Sequence, residues 1–131
     1  MRKIIPIITI TALTLSCKKE SEEQLFKKKI SGVWELEKVT GVATTNYLPG
    51  NGQIVVFKED GSYEKRQHDT LLFSGAYSLS TKTDCYPRTN NRVVQTTEGA
   101  TPLYAEIEGG NLILDTPNCY ADGGSAFYRL Q

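Results

Sequence analysis

The sequence predicts an all-β fold, an antiparallel up-and-down barrel of eight strands preceded by a short helix. Three observations carry that expectation. From Gly32 onward apolar side chains recur at every second position, the period of a strand with one buried face. Gly, Asn, Asp and Pro punctuate the pattern roughly every eight to twelve residues, as in antiparallel domains. Most connections are short and local, which makes a meander, and closing a meander on itself removes its exposed strand edges. A sandwich of two sheets is the alternative, because strand number is easier to read than closure.

The elements follow in order. Ser21-Glu22-Glu23-Gln24 has capping-box spacing, so a short helix is expected to about Lys29. Leu25, Phe26 and Ile30 give it an apolar side to lay against one end of the domain. The first strand runs from about Val33 to Thr40, with Trp34 and Leu36 inward and Glu35 and Glu37 on the solvated face. Gly41 to Gly52 is a loop. Ile54 to Phe57 and Ser62 to Gln67 flank Glu59-Asp60-Gly61, where Asp-Gly supplies the positive φ of a tight hairpin. Leu71 to Leu79 is the fourth strand, with Leu71, Phe73, Gly75, Tyr77 and Leu79 expected on the core face. Thr81 to Asn91 reads as loop and Arg92 to Thr97 as a fifth strand. Leu103 to Glu108 and Leu112 to Asp115 form a second hairpin through Gly109-Gly110-Asn111. Asp122-Gly123-Gly124 then leads into the last strand, Ala126 to Leu130.

The N-terminus stands apart from this pattern. Arg2 and Lys3 precede an apolar run from Ile4 to Leu15, which has the layout of a secretory signal and is too short to span a bilayer. Its end, Leu13-Thr14-Leu15-Ser16-Cys17, resembles the lipobox of bacterial lipoproteins, where a Cys is acylated, with palmitate for example, and becomes the mature N-terminus. Thr14 stands where that pattern usually has an aliphatic residue. The resemblance implies a signal peptide over residues 1–16, with Cys17 the lipidated residue. A tether and short helix then occupy 17–29 and the barrel domain 30–131. Lys18 to Gln24 is polar and cannot fold alone. Its Glu-rich composition resembles export tags of some Gram-negative lipoproteins, which implies anchoring to the outer membrane, on its periplasmic or surface face. Loss of Arg2 and Lys3 with the signal tips the balance of 15 basic and 15 acidic side chains to acidic, so nucleic acid is not an expected partner.

Several short motifs point to one family when taken in order. They are Gly32-Val33-Trp34, the Phe57-Lys58-Glu59-Asp60-Gly61-Ser62-Tyr63 hairpin, Gly75-Ala76-Tyr77, and the closing Phe127-Tyr128-Arg129. Together they resemble the lipocalin-like lipoproteins of bacterial envelopes over Gly32 to Gln131. The resemblance implies that Gly32 and Trp34 close one barrel end and that Arg129 lies across Trp34 as a cation-π contact, worth about 0.5 to 2 kcal/mol.

The chemistry that remains is sparse. His68 is the only histidine and is expected to face solvent from a strand, with no nucleophile motif nearby. No paired Cys or His spacing points to a metal, no glycine-rich loop opens a helix, and no cofactor is implied. An enzyme is therefore not expected. Cys85 and Cys119 remain after Cys17, and an exported domain commonly oxidises such a pair, adding about 2 to 4 kcal/mol. In a strict meander their loops lie at opposite ends, so pairing needs residues 81–91 to run back along the barrel. Two functions stay open for the expected monomer. One is a binder holding a small apolar or amphipathic ligand among Val55, Phe57, Tyr63, Phe73 and Tyr77, side chains that could equally fill the barrel. The other is an interaction or inhibitor module acting on an envelope protein through rim loops that carry Tyr47, Tyr86 and Arg88.

Overall fold

The computed structural model describes residues 20–81, 92–99, 101–117 and 123–131. One helix, α1 (Glu22–Ile30), precedes nine strands among these residues. They are β1 (Gly32–Thr40), β2 (Thr45–Asn46), β3 (Gln53–Phe57), β4 (Ser62–Gln67), β5 (Thr70–Ser80), β6 (Val93–Thr96), β7 (Leu103–Glu108), β8 (Asn111–Thr116) and β9 (Gly124–Leu130). From β3 to β9 each strand pairs antiparallel with the next, and β1 pairs with both β3 and β9. The β1–β9 ladder runs from Trp34 opposite Leu130 to Thr40 opposite Ser125 and closes the barrel. The sheet is one closed eight-stranded barrel, not a sandwich. The two-residue β2 lies outside that count, folded back on Lys38 and Val39 of β1. It sits in the stretch expected to be loop, too short to show a period.

The helix is held at both ends. Ser21 Oγ accepts from Gln24 N–H at 3.2 Å and Gln24 Oε1 accepts from Ser21 N–H at 3.2 Å, completing the capping box. At the other end Trp34 Nε1 donates to Ile30 O at 2.7 Å. Ile30 is fully buried and Phe26 packs on the core, so α1 covers the barrel end at which β1 begins. Leu25, expected on the apolar side, is about half exposed. The opposite, open end carries the β1–β3 loop, the β4–β5 turn, the β6–β7 connection and the β8–β9 connection.

Three expectations are corrected by the strand geometry. Leu71 does not continue the core face of β5. The β4–β5 register shifts between Lys65 opposite Phe73 and Arg66 opposite Leu71, leaving Leu72 as an extra residue. Such a bulge breaks the alternation, so Leu71 leaves the core face and Leu72 borders the mouth of the open-end cavity, both remaining more than half exposed. Glu35 is not solvated. Its side of β1 is covered by residues 47–52, whose Gly50 and Gly52 N–H groups donate to its carboxylate at 2.9 and 3.4 Å, and it is 3% exposed. His68 is exposed, yet it lies in the β4–β5 turn and not on a strand, with φ +53 and its N–H donating to Gly52 O at 2.7 Å.

Cys17, Cys85 and Cys119 lie outside the described residues, and with them the lipidation and pairing expected there. The ends of β5 and β6 that flank residues 81–92 are at the closed end, and those of β8 and β9 that flank residues 117–123 are at the open end.

Candidate functional site

The interior divides along its length. The β3–β4 hairpin sets Phe57 opposite Tyr63 near the closed end, Val55 opposite Lys65 in the middle, and Gln53 opposite Gln67 at the open end. Asp60 and Gly61 make that hairpin tight: Gly61 has φ +88, and the Asp60 carboxylate accepts from Ser62 N–H at 2.8 Å and from its hydroxyl. Hydrogen bonding from Ser62 keeps the Asp60 carboxyl below its ordinary range.

The closed-end half is filled. The Phe57 ring lies 5.1 Å from Tyr63 and 5.0 Å, edge-on, from Tyr77, and Tyr63 lies 6.0 Å from Phe73. Such spacings are those of packed aromatic pairs. Tyr77 also donates its hydroxyl to Lys58 O at 2.8 Å. Of the five side chains considered for a ligand, Phe57, Tyr63, Phe73 and Tyr77 therefore meet one another, and Val55 alone lines the cavity beyond them.

That cavity, of about 210 Å³, opens at the rim. Its walls are Leu36 and Val39 of β1, Gln53, Ile54 and Val55 of β3, Lys65, Arg66 and Gln67 of β4, Leu72 of the bulge, and Tyr128 of β9. Strand alternation explains Leu36, Val55 and Tyr128. Leu72 escaped the period because of the bulge.

A polar cluster extends from Lys65 on the cavity wall toward the packed aromatic half. Glu98, from the β6–β7 connection, accepts from the Tyr63 hydroxyl at 3.2 Å and from Lys65 Nζ at 3.1 Å. The neighbouring Thr97 seats this segment on β5, donating its N–H to Ala76 O at 2.9 Å and accepting from Ala76 N–H at 3.1 Å. Gly75 makes the approach possible, since a Cβ there would collide with Thr97 Oγ1. Burial pushes the Tyr63 hydroxyl up, with the Glu98 charge adding to it. The same two causes push Tyr128 up to about 12, so both phenols stay neutral donors at ordinary pH. Arg66 is bound elsewhere, with Nε and Nη2 donating to Glu64 at 3.1 and 2.7 Å, which holds the Glu64 carboxyl below its ordinary range. Nothing in the sequence around Glu98 signals its position, because a connecting segment that curls inward has no period to read.

The closure residues occupy the seam between first and last strands. Gly32 has φ +155, a conformation that side chains rarely adopt, and a Cβ there would press on Leu130 Cδ1 at 3.0 Å. Trp34 is buried inside the barrel. Arg129 does not lie over it. In the β1–β9 register Arg129 stands opposite Glu35, on the outer face, where its Nε is 3.7 Å from Glu35 Oε1 and its Nη2 donates to Tyr47 O at 3.2 Å. Successive strand residues point to opposite faces, so an outward Arg129 cannot reach an inward Trp34.

Among the described residues no group of three or more His, Cys, Asp or Glu is placed to hold a metal ion, and no helix is long and apolar enough to cross a membrane. No family model, curated protein or solved structure matches the chain.

Proposed function

We propose that this is a lipid-anchored protein of the bacterial cell envelope, of the lipocalin-like kind, whose barrel binds a small amphipathic molecule at its open end. One observation carries the binding part: the interior is filled at one end and hollow at the other, and the hollow has apolar walls with a few converging polar groups. At about 210 Å³ it is smaller than drug-sized sites. The lipobox-like stretch ending in Cys17 supports the anchoring part, and α1 at the closed end supports an orientation with the hollow facing away from the tether. The reading is of a binder that performs no chemistry.

Native mass spectrometry of the protein purified from its own cells tests the binding. A reproducible small-molecule adduct that disappears in Leu72→Trp is the expected result, and a bare mass in both proteins overturns it. Incorporation of labelled palmitate that Cys17→Ala abolishes is expected for the anchor; no incorporation into the unaltered protein removes it.

A rim-loop module is the second reading, favoured by Val42 and Leu48, which are 98% and 82% exposed on the β1–β3 loop. A bare mass together with a stoichiometric envelope protein, lost on Leu48→Ser, would select it.

A further inference from the structure

We infer that the open-end half of β5, residues 70–74, is a docking edge for another protein, which adds an extended apolar segment antiparallel to it and sets a basic residue at that segment's C-terminal end beside Asp69. The inference stands apart from whatever the cavity holds. β5 outruns its neighbours on one side. Its ladder with β6 stops at Tyr77 opposite Thr96, and β7 begins opposite Val94, so neither strand reaches the open-end half of β5. Thr97 adds one more step, with its N–H on Ala76 O and its hydroxyl oxygen accepting from Ala76 N–H. Glu98 then turns inward to Tyr63 and Lys65, and a Cβ on Gly99 would meet nothing within 4 Å beyond its chain neighbours, so the connection leaves the edge there. Backbone groups alternate sides along a strand, so Ser74, two residues before Ala76, turns its N–H and C=O to that same side. Among the described residues nothing on that side pairs with residues 70–74.

The side chains say what kind of partner fits. β5 carries no charged residue and no proline from Thr70 to Ser80, although exposed strand edges are ordinarily guarded by one or the other. Leu71 and Leu72 are exposed, on a strand whose later Tyr77 is buried. Unpaired main-chain groups flanked by exposed apolar side chains are completed by an extended peptide. A bilayer offers no ladder of amides. Asp69, in the turn before the edge, is exposed and has no ion-pair partner among the described residues. All the described strand pairs are antiparallel, and in that direction the partner's C-terminal end comes next to Asp69, so a Lys or Arg there is the charge that fits. A second copy fits less well. Antiparallel pairing of two β5 edges would send the two α1 helices to opposite ends of the pair, which suits no common membrane; this step rests on the anchor proposed above.

Fluorescence anisotropy of the full chain, purified in detergent, with a labelled peptide that alternates Val and Thr and ends in Lys tests the edge. The peptide is expected to bind. Its form N-methylated at alternate amides, which cannot complete the ladder, is expected to bind about tenfold more weakly or not at all. Ser74→Pro removes an N–H that points away from β4, a place where an edge strand tolerates proline, and is expected to weaken the peptide by about tenfold. Asp69→Lys is expected to weaken it by about twofold to fivefold and to favour a peptide ending in Glu. Amide exchange at Ser74 should slow when the peptide binds, while exchange in β8 stays as it was. Melting temperatures separate lost binding from lost folding, and Leu71→Lys, which places a charge on the exposed edge, decides the matter where Ser74→Pro fails to fold. No binding of the peptide, equal binding of its methylated form, or unchanged exchange at Ser74 overturns the docking edge. Self-association of the chain, seen by sedimentation and abolished by Ser74→Pro, would give the edge to a second copy and overturns the partner assigned here; labelled palmitate reads the anchor separately.

Discussion

Arg129 of the last strand reaches Glu35 of the first, with its Nε 3.7 Å from Oε1, and this ion pair sits across the seam that closes the barrel. Glu35 is buried and also accepts from Gly50 and Gly52 N–H, so one carboxylate ties together the seam and the β1–β3 loop. Arg129 Nε is itself buried and makes no hydrogen bond, so the carboxylate charge is what compensates it. Glu35→Ala is expected to destabilise the domain by about 2 to 3 kcal/mol in urea unfolding, since it strands a cation and two loop amides. Arg129→Ala should cost less, because the loop amides keep their acceptor. The double variant should cost less than the sum of the two, the sign of a direct interaction. Additive losses would mean that the two residues act independently.

Trp34 links the helix to the barrel through a single donor. Its indole N–H is bound to Ile30 O, the last helical residue, and both side chains lie in the core. Trp34→Phe keeps most of the apolar volume and removes the donor, leaving a buried carbonyl short of a partner. A loss of about 1 to 3 kcal/mol is expected, with faster amide exchange in α1 than in β7 and β8. Uniform acceleration over all elements would show that the bond does no more for the helix than for the barrel.

Gly75 gives the segment that carries Glu98 its seat on β5. An alanine Cβ there would collide with Thr97 Oγ1 and lie 2.8 Å from the Phe73 ring, so the segment carrying Glu98 must lift. Gly75→Ala is expected to cost about 1 to 3 kcal/mol. Thr97→Ala in the same chain removes one of the colliding groups and should recover part of the loss, though it also leaves Ala76 N–H without its acceptor. No recovery would place the strain on Phe73 instead.

The fold was legible because its cause is periodic. Alternation from Trp34, the Asp60-Gly61 and Gly109-Gly110 turns and the Ser21/Gln24 cap are local signals, and each local choice agrees with the barrel. What was not legible depends on contacts between distant segments. Glu35 reads as a solvated strand residue until residues 47–52 fold over it. Leu72 reaches the cavity mouth because an extra residue slips the β4–β5 register, which no period announces. The family resemblance puts Arg129 over Trp34, whereas strand alternation from an inward Tyr128 puts it outside, beside Glu35. Glu98, central to the site, is unreadable in isolation. Its position follows from the seat of Thr97 on Ala76 and from the missing Cβ of Gly75.

Two buried phenols, Tyr63 and Tyr128, give the domain a pH dependence whose sign can be worked out. Tyr128 is pushed up to about 12 and Tyr63 higher still, in both cases by burial first and by the Glu98 charge after it. An unfolded tyrosine ionises near 10. Below that pH both states hold the proton and the contribution is constant. Between about 10 and 12 the unfolded chain releases protons that the folded chain keeps, so the unfolded state is favoured and stability falls as pH rises. For Tyr128 alone the loss across that window amounts to about 2 to 3 kcal/mol. Urea midpoints measured at intervals through this range should therefore drop, and the drop should shrink in Tyr128→Phe and further in the double variant with Tyr63→Phe. Glu98→Gln should lower both phenols by removing the carboxylate charge, while burial keeps them above the unfolded value. The same shift should appear in tyrosinate absorbance as phenols that titrate only with unfolding. Free titration of all seven tyrosines near 10 in the folded protein would remove both the burial and the charge from this account.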